Sequence, residues 1–557
     1  MPNMKTIDIY CVNTGEKRIY PLGVTLMEIK DDFQVTLENP IIGAMVNNRV
    51  KELSFVFVKN KKVEFIDYSH PDGMRLYVRS LFFILFAAVR GVFPEVKLKM
   101  MHGISRGYYC ELAGLDRPIT DSDIFAIKSE MRQLVDKDIP FEKIGLPTEE
   151  AVEICNKQNL RYKAKLFEQQ GAMFSYLYFM GDQANYFYGH QTPSSGYLKV
   201  FDLVSYYDGL LLRIPNPLKF SEVQSYSKND KLFGVFQEHK DWAEILNVPN
   251  VANLNENTIN GLSGDIIKIS EALHEKKIAE IANLIHAKRD KVKIVLIAGP
   301  SASGKTTFSK RLMVQLAVNG LKPTMISLDD YFVDREKTPK DDKGEYDFEA
   351  IEAIDIDLFN QHLNQLLIDE SVELPKFNFT VGQKFPSGKK LQLIPGSILV
   401  IEGIHGMNPD LIPHIAPENT FKIFLSALTQ ISIDDQNHIS TTDNRLIRRM
   451  IRDSKYRNYT AQDTLRRWPS VRAGEDKNIF PYQENADVMF NSALIYELAV
   501  LKKYAEPLLK AVPESLPEFS ESNRLLKFFS YFKLIDDLEI PPTSLIREFL
   551  GGSSFTY

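Results

Sequence analysis

Ile294-Val-Leu-Ile-Ala-Gly-Pro-Ser-Ala-Ser-Gly-Lys-Thr306 is the stretch that decides the fold. Its first five residues are an unbroken apolar run rich in β-branched side chains, the mark of a strand buried in a parallel sheet. Its last eight, Gly299–Thr306, fit G-x-x-x-x-G-K-[ST], a loop whose backbone N–H groups cradle nucleotide phosphates. A helix is predicted over Thr306–Val318, with Phe308, Leu312 and Leu316 on one face and Asn319-Gly320 as its stop. Strand, glycine loop and helix in that order separate a phosphate site from a glycine turn that binds nothing. The loop amides and the helix start supply positive potential, Lys305 adds a full charge, and Thr306 offers a hydroxyl to Mg²⁺. The candidate nucleotide-binding residues are Gly299, Ser301, Ala302, Ser303, Gly304, Lys305, Thr306 and Thr307.

A chain of 557 residues has room for three or four domains. Hydrophobic residues at 44% and charged residues at 25% are ordinary for a soluble globular protein. The formal net charge of −6 gives no global pull towards nucleic acid or anionic membrane. Cys11, Cys110 and Cys155 are too few and too scattered for a disulfide scaffold or a cysteine-rich zinc site, which suits a reducing cytoplasm. The most apolar stretch, Leu81–Val89 between Arg79 and Arg90, is too short to span a bilayer, and no secretory signal is visible. Homo-oligomerisation is left open.

The expected order is α/β throughout. Residues 1–67 read as a β-grasp unit: a hairpin of Thr6–Val12 and Arg18–Pro21, a helix over Thr25–Phe33, then strands Ile41–Val46, Ser54–Val58 and Lys62–Ile66. Polar His70-Pro-Asp-Gly73 marks a boundary before an apolar helix, Leu76–Phe93. An α+β unit follows over 68–225, and a polar connecting segment with one helix (Ile266–Ala287) over 226–290. Strands then alternate with helices over 291–510, the doubly wound pattern, before a tail with short helices over 511–557.

In order and spacing the front half resembles the start of threonyl-tRNA synthetases, a TGS domain followed by the domain that edits mischarged tRNA. The carriers are Asp72-Gly-Met-Arg-Leu76 leading into the helix, Phe93-Pro94 ending it, Gly107-Tyr-Tyr-Cys-Glu111, and Asp116-Arg-Pro-Ile119. The family's HxxxH pair falls on Arg79 and Phe83, and its Cys-x-x-x-His element falls near Phe187–Gln191, where only His190 survives. A histidine cluster for metal or water cannot be assembled there, so editing chemistry is expected to be absent. RNA binding by this half is left open.

Two further strands end in acids. Lys322–Leu328 runs into Asp329-Asp330-Tyr331-Phe332, and Ile398-Leu-Val-Ile runs into Glu402-Gly403. Strand ends of a doubly wound sheet point into the ligand crevice. There an Asp can accept the proton of a phosphoryl acceptor, or merely cap the next element. A carboxylate at position 402 is placed for Mg²⁺. Arg445, Arg448, Arg449 and Arg452 share one helix face, either a solvated face or an arginine-bearing lid.

Together GPSASGKTT (299–307), SLDDYF (327–332), YDFE (346–349), LPKFNF (374–379), ILVIEGI (398–404), RLIRRMIRD (445–453) and ENADVMFN (484–491) resemble the uridine kinase and phosphoribulokinase family. The resemblance implies ATP and Mg²⁺, with Asp329 as general base, Lys305 and Arg449 in catalysis, and Thr306 and Glu402 at the metal. It also implies Asp347, Phe377, Arg445 and Arg448 at the substrate. Two departures matter: the family's pyrimidine-facing Tyr and His correspond here to Phe377 and Gly382. The architecture therefore implies a nucleoside kinase without uridine as the assured acceptor. A sugar phosphate or other metabolite is the alternative, with Lys384, Lys389 and Lys390 as its basic groups. A regulatory GTPase is disfavoured, because Asn156-Lys-Gln-Asn159 precedes the loop and lacks the Asp. A nucleotide-regulated RNA-binding protein is disfavoured by the intact Lys305, Asp329 and Glu402.

Overall fold

The computed structural model describes residues 5–217, 219–341, 344–429 and 431–556. The first unit is a five-stranded sheet with the spatial order Glu16–Pro21, Thr6–Cys11, Lys61–Ile66, Gly43–Val46, Arg49–Lys51. Its two central strands are parallel and the remaining pairs antiparallel, a β-grasp sheet. Helix Leu26–Phe33 crosses it, with Thr25 and Glu28 forming a capping box.

The expected strand Ser54–Val58 is not formed. The Phe55 and Leu53 carbonyls instead accept the N–H groups of Leu26 and Met27 at the helix start, leaving one isolated bridge, Thr25 to Val56. The supposed boundary at 70–73 is the start of the next helix, Pro71–Val92. His70 caps it, and a Cβ on Gly73 would lie 1.8 Å from the Asp67 carbonyl. That helix is buried almost throughout, between a four-stranded sheet (97–104, 107–113, 202–206, 209–213) and a three-stranded one (142–147, 174–180, 183–185).

The second half is built on a five-stranded, wholly parallel sheet. Its spatial order is Lys322–Ser327, Ser397–Glu402, Ile294–Ala298, Thr420–Ser426, Val488–Asn491. The first strand in sequence is the middle one in space, so the chain leaves it in opposite directions and opens a crevice at its carboxyl end. An antiparallel hairpin, Val372–Asn378 with Gln383–Leu391, projects between the second and third strands in sequence.

Residues 226–290 are more than a connection. They form helices Asp230–Ile245, Val251–Ile259 and Ser263–Ala287, whose Val251, Leu254, Ile266 and Ile267 enter the same core as Leu446, Ile447, Leu498 and Leu501. The tail also belongs to that core: Leu525, Phe528, Phe529, Ile546 and Phe549 are fully buried in it. The two halves are joined by a fully buried ion pair, Lys163 to Asp434 at 2.5 Å, with Gln436 as the second acceptor for the ammonium. Among the described residues no helix is long and apolar enough to cross a membrane.

Candidate functional site

The phosphate loop sits where the middle strand ends. All five residues of Ile294–Ala298 are buried, and Gly299 follows with no room for a side chain: a Cβ there would lie 2.1 Å from the Leu425 carbonyl. Gly304, at φ +86°, turns the loop into helix Lys305–Val318. The Lys305 ammonium folds back over the loop, donating to the carbonyls of Gly299 (3.0 Å) and Pro300 (3.3 Å). The Ser303 hydroxyl is buried inside the loop and has no hydrogen-bond partner among the described residues. Ser301 donates its N–H to Glu475 (3.0 Å) and accepts from Arg449 at its hydroxyl (2.9 Å) and from Arg445 at its carbonyl (3.1 Å).

Sheet register brings the acids together. Glu402 pairs across the sheet with Ile297 on one side and Ser327 on the other. One oxygen of its carboxylate accepts from the Ser327 hydroxyl at 2.8 Å and lies 3.4 Å from the Thr306 hydroxyl. Burial, reinforced by the nearby Asp329 carboxylate and only partly offset by Lys305, pushes Glu402 up to about 7. A buried carboxylate beside a threonine hydroxyl, both hard oxygen donors, fits Mg²⁺, which keeps several waters and needs few protein ligands. The residues that would hold it are Thr306 and Glu402.

Asp329 and Asp330 both lie in the turn Leu328–Tyr331. Asp330 turns towards the hairpin, accepting the Phe377 N–H at 3.3 Å with Lys376 at 4.0 Å, and burial raises its pKa. Asp329 stays on the loop side, where its charge acts on Glu402 and on Arg457.

The arginine face of helix Thr441–Tyr456 divides in a way its spacing does not reveal. Arg445 and Arg448, expected at the substrate, are fully buried and paired, Arg445 with Glu475 and Arg448 with Glu497. They donate to the carbonyls of Ser301 and Ala302, and neither side chain is exposed. Arg449 reaches the loop from the open side. Arg449, Arg452 and Arg457 all pair with the Asp453 carboxylate. The crowding of Arg452, with burial, lowers Arg457 to about 10.

Beyond Asp329 lies an aromatic wall. Phe377 is only 6% exposed, packed between Phe332 and Phe379, so it forms the floor of the wall. Phe379, 39% exposed, offers the open face, with the Arg457 guanidinium 5.0 Å from its ring centre. Gly382 has φ +72°, and a Cβ there would lie 2.7 Å from Arg335 Nε. The space beside this glycine is therefore filled by a guanidinium from a distant loop. Arg335 donates to the Phe379 carbonyl and forms no ion pair among the described residues. Asp347 accepts the Glu349 N–H at 3.1 Å and lies against Gly474. Burial pushes the neighbouring Glu349 up to about 7 against the pull of Arg449. Lys384 is occupied by Asp355. Ser327, Arg335 and Glu349 went unmarked as site residues in the sequence, whereas Arg457 follows the arginine face read as a candidate lid. Ser327 alone had a local signal, the strand end before Asp329.

In the front half the positions matched to editing histidines do meet. Arg79 lies over the Tyr188 ring at 5.5 Å, and Phe83 packs on Phe187 and Phe141. His190 stands 3.6 Å from Glu52, its pKa lowered by burial. Among the described residues no group of three or more His, Cys, Asp or Glu is placed to hold a metal. Tyr188 is covered by Phe528 and Tyr531 from the segment beyond 519.

Residues 294–497 match the model of the Phosphoribulokinase / Uridine kinase family. The N-terminal part is similar to threonine–tRNA ligases. Identity to that of Desulforamulus reducens is 30% over 193 residues, 34% of this chain and 30% of the ligase. Identity to that of Caldanaerobacter subterraneus is 28% over 199 residues, 35% and 31%. The chain thus spans about 30% of the length of these relatives. Among solved structures, a possible uridine kinase from Bacillus stearothermophilus aligns at 18% identity over 36% of this chain and 89% of its own, with a TM-score of 0.25. D-glycerate 3-kinase from Cryptococcus neoformans aligns at 15% over 47% and 89%, with a TM-score of 0.20.

Proposed function

We propose that this chain, with a domain of the phosphoribulokinase and uridine kinase type over residues 294–497, transfers the γ-phosphate of ATP to a hydroxyl of a nucleoside. The observation that carries the reading is the convergence of Lys305, Thr306, Glu402 and Asp329 at one strand-end crevice, with Asp330 turned away to the hairpin. Lys305 exchanges the loop carbonyls for phosphate oxygens. Asp329 accepts the proton of the acceptor hydroxyl as its oxygen bonds to the γ-phosphorus and the bond to the β-phosphate oxygen breaks, releasing ADP. Arg449 and Arg457 face the negative charge that develops on the transferred group. Mg²⁺, when bound, neutralises charge on the β- and γ-phosphate oxygens. The open face of Phe379 supports stacking of a base, and Asp347 supports binding of sugar hydroxyls.

Gly382 offers no side chain to hydrogen-bond a base, so discrimination between bases falls to shape and stacking. With ATP and Mg²⁺, uridine, cytidine, adenosine, guanosine and inosine are expected to react with kcat/KM values within about tenfold of one another. Deoxy forms are expected to lose more, since a hydrogen bond to a charged group is worth about 1.5–3 kcal/mol. One observation favours a second reading: the unpaired Arg335 in the space beside Gly382 suits an anionic acceptor such as a sugar phosphate. Turnover of sugar phosphates with none of any nucleoside would replace the first reading by the second.

A further inference from the structure

Thr307 is the third residue of the helix that follows the phosphate loop and is fully buried. Its N–H is among those that a helix start leaves without an intrahelical acceptor. That N–H (3.3 Å) and the Thr307 hydroxyl (2.7 Å) both donate to one oxygen of Glu548, 241 residues further along the chain. A carboxylate oxygen taking an amide and a hydroxyl at this helix start occupies a place that the loop offers to a phosphate oxygen.

The contact is built rather than incidental. Glu548 lies in the single turn Arg547–Leu550, seated between the phosphate-loop helix and the arginine helix Thr441–Tyr456. Phe549 is fully buried with the Arg448 guanidinium 5.1 Å from its ring centre. Lys455 donates to the Leu550 carbonyl, and Lys310 donates to the Thr556 carbonyl. Gly551 takes φ +83°, and a Cβ there would lie 2.3 Å from the Lys455 ammonium. Segment 547–556 is thus pinned on both sides of the nucleotide loop, with its one acid directed into it.

We propose that Glu548 is an intramolecular competitor of the nucleotide, an autoinhibitory anion that must leave Thr307 before the phosphate chain is fully seated. The proposal rests on the reading of this loop as an ATP site. A negative charge held there repels a polyphosphate and occupies two of its donors. A merely structural cap predicts the opposite sign, because removing a cap loosens the loop and weakens binding.

The test is calorimetric titration of the full chain with the non-hydrolysable analogue AMP-PNP and Mg²⁺, alongside amide hydrogen exchange. Glu548→Gln keeps the size and removes the charge; it is expected to bind the analogue about tenfold more tightly or better, the scale of one charged hydrogen bond. Lys455→Met loosens the seat without touching the loop and is expected to shift affinity the same way by less. In the wild type, the analogue is expected to speed exchange across 547–556. Unchanged or weaker binding by both variants overturns the proposal. If Lys305→Ala abolishes binding in that case, the ATP reading stands without it. If no variant and not the wild type binds the analogue, both fall.

Discussion

Asp329 and Asp330 are neighbours in sequence with different surroundings. Asp330 is held by the Phe377 amide and Lys376, so its removal loosens the hairpin; Asp329 has no such structural task and its charge is felt at Glu402. Asp329→Asn is expected to cut kcat by about a hundredfold or more with nucleotide binding nearly intact, the size of a general-base contribution. Asp330→Asn is expected to act mainly on acceptor KM. Steady-state kinetics on both variants decides, and a larger kcat loss at Asp330 would reverse the assignment. The loop, Glu402 and the acid pair were legible because each lies within a few residues of a strand end, where local pattern dictates position. Arg335 was not, since it lies 47 residues before Gly382 and meets it only when the hairpin of Val372–Asn378 and Gln383–Leu391 folds against it, and nothing local marks that approach.

At the scale of an element, helix Thr441–Tyr456 shows what periodicity leaves open. The i, i+3, i+4, i+7 spacing places four arginines on one face, yet the partners that draw two of them inside, Glu475 and Glu497, come from elsewhere in the chain. Breaking such a pair leaves a buried carboxylate alone, at a cost of about 3–5 kcal/mol. Arg448→Met is therefore expected to lower the melting temperature by several degrees, measured by thermal denaturation without ligand. An unchanged melting temperature with a raised acceptor KM would return Arg448 to the substrate. Strand Ser54–Val58 failed for a related reason: its alternation of Phe55, Val56 and Phe57 suits a strand, but its carbonyls are used by the start of the neighbouring helix.

For the whole molecule, the doubly wound half was readable from one strand–loop–helix string, whereas the packing of the tail was not. Nothing in residues 511–557 signals that they cover Tyr188 in the front half and reach Thr307 in the other. Arg79 and Phe83 stand where the resemblance places the editing histidine pair, and His190 is turned to Glu52, so editing chemistry is expected to be absent. The full chain incubated with seryl-tRNA is expected to release serine no faster than buffer, and measurable enzyme-dependent deacylation would overturn this.

The depth of residues 519–550 also bears on how the molecule is made. A ribosome adds roughly 5–20 residues per second, and domains ordinarily close in the order of their synthesis. Here Phe528, Phe529 and Phe549 belong to the large core shared with Leu446 and Leu498, while Leu545 belongs to the core beneath the central sheet. Both cores keep apolar surface uncovered until this late stretch has emerged, so the loop Gly299–Thr306 is expected to reach its final packing only after residues 519–550 have been made.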